Sequence, residues 1–348
     1  MQEPILRAND IVIKFSLRGR VLTAIRGASL ELYKGTTLAI VGESGSGKSV
    51  FTKSFIGMLD ENGWVDSGQI MYAGKDLATF RTEKQWLSIR GSKIAMVFQD
   101  PMTALNPLRT IGSQIQEVIE QHQSITRRKA KEQTLSVLKD VGIPEPELRY
   151  GQYPHEFSGG MRQRIVIAIA LASNPEILIC DEPTTALDVT IQAQILELIR
   201  TVQKRYNLTV IYITHDLGVV ANVADSVAVM YAGDIVEYGN VEEIFYNAKH
   251  PYTWALLSSL PQLGKKGEPL YTIKGSSPNL FMDIKGDAFA ARNPMALNID
   301  FEKRPPHFKV SDTHYARTWL LDERAPAVEP PETIQHMLAK FEQVHNER

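Results

Sequence analysis

Residues 38–49 read LAIVGESGSGKS. The first four form a short continuous apolar run, the pattern of a strand buried on both faces of a parallel sheet. The next eight fit G-x4-G-K-[ST], and a helical pattern begins near Ser49. Strand, glycine loop and helix in that order make a phosphate loop. Gly42, Ser44, Gly45, Ser46 and Gly47 let backbone N–H groups wrap an anion, and the helix start adds a favourable dipole. Lys48 is placed to reach the β- and γ-phosphates of a nucleotide, and Ser49 to hold Mg²⁺.

Outward from this loop, three more apolar runs recur: IAMVF (94–98), EILIC (176–180) and TVIYIT (209–214). Upstream, IVIKF (11–15) and ASLEL (28–32) alternate as half-buried strands do. Buried strands separated by helical patterns predict an α/β fold, a mostly parallel sheet flanked by helices. Between the second and third runs, Ile115, Val118, Ile119 and His122 keep helical spacing, as do Leu135, Leu138 and Val141. Pro144, Pro146 and Pro154 then break the pattern. This predicts a helical subdomain, about 100–165, inserted into a domain spanning 1–240. The sheet pattern is expected to end after about Gly239. A proline-rich extension, 241–348, follows and finishes in the helical PETIQHMLAKFEQV.

A second set of residues supplies hydrolytic chemistry. The run ILIC ends in Asp181, which can hold Mg²⁺ through water. Glu182 follows, and a carboxylate there can polarise an attacking water as general base. Gln99 follows IAMVF and His215 follows TVIYIT, so the parallel topology predicts both at the sheet edge that carries Lys48. Gln99 can ligate Mg²⁺ and orient water, and His215 can contact the γ-phosphate. Phe15 has two readings, stacking on adenine or packing with Ile11 and Ile13 in the core. Ser158-Gly159-Gly160 forms a second anion corner: an N-cap followed by a helix burying Ile165, Ala168, Ile169 and Ala172 on one face. One pocket needs one phosphate loop. The corner is therefore expected to close over ATP held by another subunit.

Bulk properties narrow the classes. The 348 residues are 43% apolar and 22% charged with a net charge of -2, which gives no reason to expect nucleic acid as a partner. Arg127, Arg128, Lys129 and Lys131 read as a solvated helix face. A single cysteine, Cys180, lies among apolar neighbours and is expected in the core. MQEPILRAND has no apolar h-region of a secretion signal, and no run approaches a membrane span. Membrane contact is expected only through a partner.

These motifs together resemble the ABC ATPase family over residues 1–240. FSGGM (157–161) is similar to the family signature, with Phe157 and Met161 where Leu and Gln are commoner. Thr185-Ala186-Leu187-Asp188 resembles the dimer-contact loop, Gln99 the Q-loop and His215 the switch histidine. HPYTWALLSSLP (250–261), MYAGDIVEYG (230–239), QDPMTALNP (99–107) and DEPTTALDVTIQAQIL (181–196) resemble the oligopeptide/dipeptide importer branch, nearest its D-type subunit. The resemblance implies a P-loop ATPase that pairs with a second, homologous ATPase subunit. The pair would lie beneath two transmembrane permeases, at the cytoplasmic face of the membrane, fed by an extracytoplasmic peptide-binding protein. Asp188 and the segment after Gln99 would serve subunit and permease contacts. Alternative readings are a nickel or metal-chelate importer and a non-transport ABC ATPase acting on nucleic acid. A catalytically dead subunit is a further alternative, but Lys48, Glu182 and His215 are all present.

The extension departs from its relatives. Many of them carry GCxFxPRCPxAxxxC…HxxxCW, whose four cysteines ligate an iron–sulfur cluster. Here the stretches are GDAFAARNPMALNID (286–300) and HYARTWL (314–320). Gly286, Phe289, Arg292, Pro294, Ala296, His314 and Trp319 survive, while the cysteine positions fall on Asp287, Asn293, Asp300 and Thr318. No iron–sulfur cluster is expected. Asp287 and Asp300 read as solvated loop carboxylates, and the extension as a contact surface for the partner ATPase.

Overall fold

A computed structural model of the chain describes residues 3–185, 187–260, 273–335, 337 and 339. Ala186 and most of the expected final helix lie outside these; Glu332–Gln335 within it are helical. In chain order the strands are β1 (Leu6–Leu17), β2 (Arg20–Leu32), β3 (Thr37–Val41), β4 (Gly63–Tyr72), β5 (Lys75–Asp76) and β6 (Ile94–Val97). There follow β7 (Ile177–Asp181), β8 (Thr209–Thr214), β9 (Ser226–Tyr231), β10 (Asp234–Asn240), β11 (Phe308–Lys309) and β12 (Tyr315–Ala316). The chain divides into two compact units. One comprises Met1–Glu3, Tyr33–Thr37 and Thr79–Ile213; the other, Pro4–Leu32, Leu38–Ala78 and Thr214–Arg348.

In the first unit β6, β7 and β8 run parallel, with Ile94 opposite Ile177 and Ile177 opposite Thr209. Every residue of these strands is buried, which is why they read as unbroken apolar runs rather than alternating ones. Cys180 is fully buried among them, and burial pushes its thiol up to about 12. The unit's long helices are Ile111–His122, Arg127–Asp140, Gly159–Leu171 and Val189–Tyr206. The expected single buried face of Gly159–Leu171 is corrected. Ile165, Val166, Ile167, Ala168, Ala170 and Leu171 are all buried, and Ile169 only partly. This helix is packed between the other three and β6, so its second half, from Ile165, is apolar on nearly every side.

The second unit holds the antiparallel sheet β2-β1-β4-β5. Along β1 the buried residues shift from Leu6 and Ala8 to Ile11, Ile13 and Phe15. A register shift between Ala8 and Ile11 absorbs the change of parity and keeps all five facing inward. In the same unit β3 lies parallel to β9, and β9 forms an antiparallel hairpin with β10.

The expected end of the sheet after Gly239 is also corrected. β12 pairs with β10, Glu237 opposite Ala316 and Tyr238 opposite Tyr315, and β11 pairs with β12. The C-terminal extension therefore continues the sheet. It shares one core with β9: Val227, Val229, Tyr231, Tyr252, Trp254 and Phe289 are buried together.

Glu237 fastens this junction. Fully buried, it accepts hydrogen bonds from the Lys249 and His250 N–H groups and pairs with His314 Nε2 at 2.8 Å. Glu237→Leu removes every acceptor and leaves buried donors unsatisfied, at about 1–3 kcal/mol each. Urea unfolding of the full chain is expected to show a loss of about 3 kcal/mol; a loss below about 0.5 kcal/mol would show that these bonds do not fasten the extension.

Candidate functional site

The phosphate loop leaves β3 in the second unit. Gly42 is required by close approach: a Cβ there would lie 2.1 Å from the Met230 carbonyl oxygen. The loop is held to its own unit by the Gly233 N–H, which donates to the Ser46 carbonyl at 2.8 Å. Lys48 is 5% exposed, and its Nζ donates to the Gly42 and Glu43 carbonyls, both at 2.9 Å. Ser44 and Gly45 are exposed at the crest, Gly47 and Ser49 partly buried. Ser46 Oγ is buried with no hydrogen-bond partner among the described residues. An orphaned hydroxyl inside a loop of glycines and one lysine fits an anionic oxygen.

The first unit carries the carboxylates. Asp181 ends β7, 6% exposed. The Glu182 N–H continues the ladder to the Ile213 carbonyl at 3.0 Å, and Glu182 then turns with φ 46°. A non-glycine residue there is strained by roughly 1–3 kcal/mol, so its surroundings must hold it. They do: Gln99 Nε2 and Thr185 Oγ1 each donate to Glu182 Oε2 at 3.0 Å. Gln99 and Glu182, inferred separately from two strand ends, meet directly. The part played by Thr185 was missed; its only sequence signal was its place in the loop preceding Asp188.

Ser158 caps Gly159–Leu171, accepting from the Met161 N–H at 3.4 Å. Ser158 and Gly159 are exposed, while Gly160 packs so closely on Ile191 that a Cβ would come 2.6 Å from its Cγ2. Asp188 caps Val189–Tyr206 through the Ile191 N–H at 3.0 Å. Val189, beside it, is 82% exposed. His215 is exposed in the second unit, just after β8. Phe15 is 8% exposed, its ring against Gly63. Arg127, Arg128, Lys129 and Lys131 are exposed, as expected.

The four cysteine-replacing positions share one feature. Asp287 Oδ1 accepts from the Phe289 N–H at 2.9 Å, and Asn293 Oδ1 from the Met295 N–H at 3.0 Å. Asp300 Oδ2 accepts from the Leu297 N–H at 2.6 Å, and Thr318 Oγ1 from the Leu320 N–H at 3.3 Å. The expectation of solvated carboxylates is corrected, since Asp300 is 1% exposed and Asp287 only partly exposed. Both turn inward to satisfy loop amides. Burial pushes Asp287 up to about 7, with Asp300 and Asp234 adding to the shift. Among the described residues no cluster of three or more His, Cys, Asp or Glu could hold a metal ion. None of the four positions offers the thiolate that an iron–sulfur cluster needs, so these residues do not fit one.

Residues 25–185 match the family model described as ABC transporter, and residues 236–299 the model described as oligopeptide/dipeptide transporter, C-terminal region. The chain is 60% identical, over 97% of its length and 95% of the relative's, to the oligopeptide transport ATP-binding protein AmiE of Streptococcus pneumoniae. It is 55% identical to the oligopeptide transport ATP-binding protein OppD of Bacillus subtilis, over 97% of this chain and 94% of that one. Among solved structures it resembles the ATP-binding cassette MJ0796, captured as a dimer in a post-hydrolysis state bound to ADP and Pi. The TM-score is 0.60 at 25% identity, covering 68% of this chain and 98% of that one.

Proposed function

The chain belongs to the ABC transporter family, and from that premise we propose that it is the ATPase subunit of an importer of oligopeptides or dipeptides. Its likeness to AmiE and OppD, end to end through both cassette and extension, carries this reading. Both relatives are named for oligopeptide transport, which favours that reading over a metal-chelate importer or a nucleic-acid ATPase.

The roles follow from each residue's chemistry. Gly42, Ser44, Gly45, Ser46, Gly47 and Lys48 bind the phosphates of ATP through backbone N–H groups, the Ser46 hydroxyl and the Lys48 ammonium. Ser49, Gln99 and Asp181 are hard oxygen donors of the class Mg²⁺ takes, and they would hold it. Bound there, Mg²⁺ supplies charge neutralisation at the phosphates. Glu182 accepts the proton of the attacking water. Gln99 and Thr185 fix its carboxylate, and Gln99 keeps its amide oxygen for the cation or the water. His215 contacts the γ-phosphate, and Phe15 sits beside the adenine or closes the core beneath it.

Ser158, Gly159 and Gly160 offer the N-terminal end of their helix to ATP bound by a second, homologous ATPase subunit, with Asp188 at the same contact. A solved relative captured as a dimer with ADP and Pi supports this arrangement. No helix among the described residues is long and apolar enough to cross a membrane. In the proposed reading the subunit works peripherally, at the cytoplasmic face, beneath two permeases supplied by a peptide-binding protein. Met102 and Leu108, 61% and 85% exposed in the segment after Gln99, suit the permease contact.

Reconstitution with both permeases tests the whole reading: peptides, and not metal chelates, should stimulate ATP hydrolysis. Stimulation by nickel chelates alone would overturn the substrate class. The extension is proposed to keep its shape without iron, because the four side chains already satisfy loop amides. Anaerobically purified protein should be colourless with less than stoichiometric iron; an iron–sulfur absorbance band would sink this.

A further inference from the structure

The acidic residue of the phosphate loop, Glu43, is gripped by the C-terminal extension at both side chain and backbone. Arg292 Nη1 donates to Glu43 Oε2 at 2.7 Å and Nη2 to Oε1 at 3.0 Å, a bidentate pair. Ser277 Oγ reaches Oε2 at 3.3 Å, and the Glu43 N–H donates to Tyr252 Oη at 2.8 Å. The guanidinium is itself fixed. Its Nε donates to the Lys274 carbonyl at 3.0 Å and Nη1 to Tyr231 Oη at 3.1 Å. The Tyr231 and Phe289 rings lie 5.7 and 6.0 Å from it. The side chains are 7% and 27% exposed, so the pair escapes most of the screening that weakens surface ion pairs.

The grip passes into the loop. The Glu43 carbonyl accepts from Lys48 Nζ at 2.9 Å and from the Ser46 N–H at 3.1 Å. A phosphate loop binds through N–H groups whose directions are set by its backbone shape. Whatever fixes Glu43 therefore fixes the binding amides and the lysine. The Arg292 head group has no slack for this task, since each of its three nitrogens has a partner.

We propose that Arg292 is a positioning residue for nucleotide binding, which makes the C-terminal extension a working part of the ATP site. The proposal rests on the reading of this loop as an ATP site. By reciprocity, bound ATP must in turn steady the extension around Arg292.

The test uses the full chain with Mg²⁺ and a fluorescent ATP analogue, mant-ATP. Arg292→Gln and Glu43→Gln should each weaken binding about 10-fold, within the usual range of coupling between sites. The double variant should be no weaker than the poorer single one, because both remove the same link. Arg292→Lys, which keeps the charge and loses the fork, should fall between. ATP should slow hydrogen exchange at residues 287–293 in the wild type and not in Glu43→Gln. A natively folded Arg292→Gln chain with unchanged affinity, or multiplying effects in the double variant, would overturn the proposal. If Arg292→Gln does not fold, Glu43→Gln decides alone: full affinity with intact ATP protection overturns it. A wild-type chain that binds no mant-ATP refutes the nucleotide reading itself, a result these variants cannot mimic.

Discussion

Glu182→Gln is expected to bind ATP as the wild type does while hydrolysis falls by about 10²–10⁴-fold, the range for loss of a general base. The substitution is nearly isosteric. A glutamine oxygen can still accept from Gln99 and Thr185, whose bonds to Glu182 Oε2 are both 3.0 Å long. Position and backbone turn are therefore preserved, and only the capacity to take a proton is lost. ATP that is bound and not cleaved should also hold two ATPase subunits together. Size-exclusion chromatography with Mg-ATP should accordingly show a dimer that persists in the variant and decays in the wild type. Near-normal turnover would remove Glu182 from the proton path. Thr185→Ala gives a graded companion, a fall in kcat of several-fold with the KM for ATP unchanged, because Thr185 orients the carboxylate rather than the nucleotide.

The sequence showed most of what positions this chemistry, because the determining signals are local. Gly42 to Ser49 is a continuous motif, and strands buried on both faces read as apolar runs, so β3, β6, β7 and β8 were found nearly to the residue. Other features were hidden by distance or brevity. β11 and β12 are two residues each, too short for any period, and β12 is defined by its pairing with β10 on one side and β11 on the other. Arg292 and Glu43 lie 249 positions apart, so neither residue's neighbourhood announces the pair. In sequence, Arg292 stood only as a landmark beside a lost cysteine position. The left-handed turn at Glu182 was equally invisible, since glutamate has no preference for that conformation. In helix Gly159–Leu171 the spacing of apolar residues alone does not tell how many neighbours cover it, and it has several.

Ser158→Arg separates a residue that serves its own ATP from one that serves a partner's. Ser158 is exposed, and its hydroxyl has one local task, accepting the Met161 N–H at 3.4 Å. Losing that cap costs about 1 kcal/mol. The second half of the helix behind it is anchored by buried Ile165, Val166, Ile167, Ala168, Ala170 and Leu171, so the fold should survive. The isolated chain should therefore bind ATP within about twofold of the wild type, a difference of some 0.4 kcal/mol, since its own pocket is proposed to use Lys48 and Ser49. If the corner closes over a partner's ATP as proposed, the arginine in the assembled complex would occupy the space where the two glycines are to meet the opposing γ-phosphate. The N–H donors of the corner would then be held away from the charge that develops during cleavage. Loss of such donors costs on the order of 10²–10³-fold in turnover, so hydrolysis by the complex should fall by at least the lower figure. Mixing experiments sharpen the result. In a complex with a second, homologous ATPase subunit, the site lost should be the one whose phosphate loop belongs to the partner, while the site built on this chain's Lys48 should keep its own corner intact. Equal loss of ATP binding by the isolated Ser158→Arg chain would place Ser158 in its own pocket and end the case for a site completed by a second subunit.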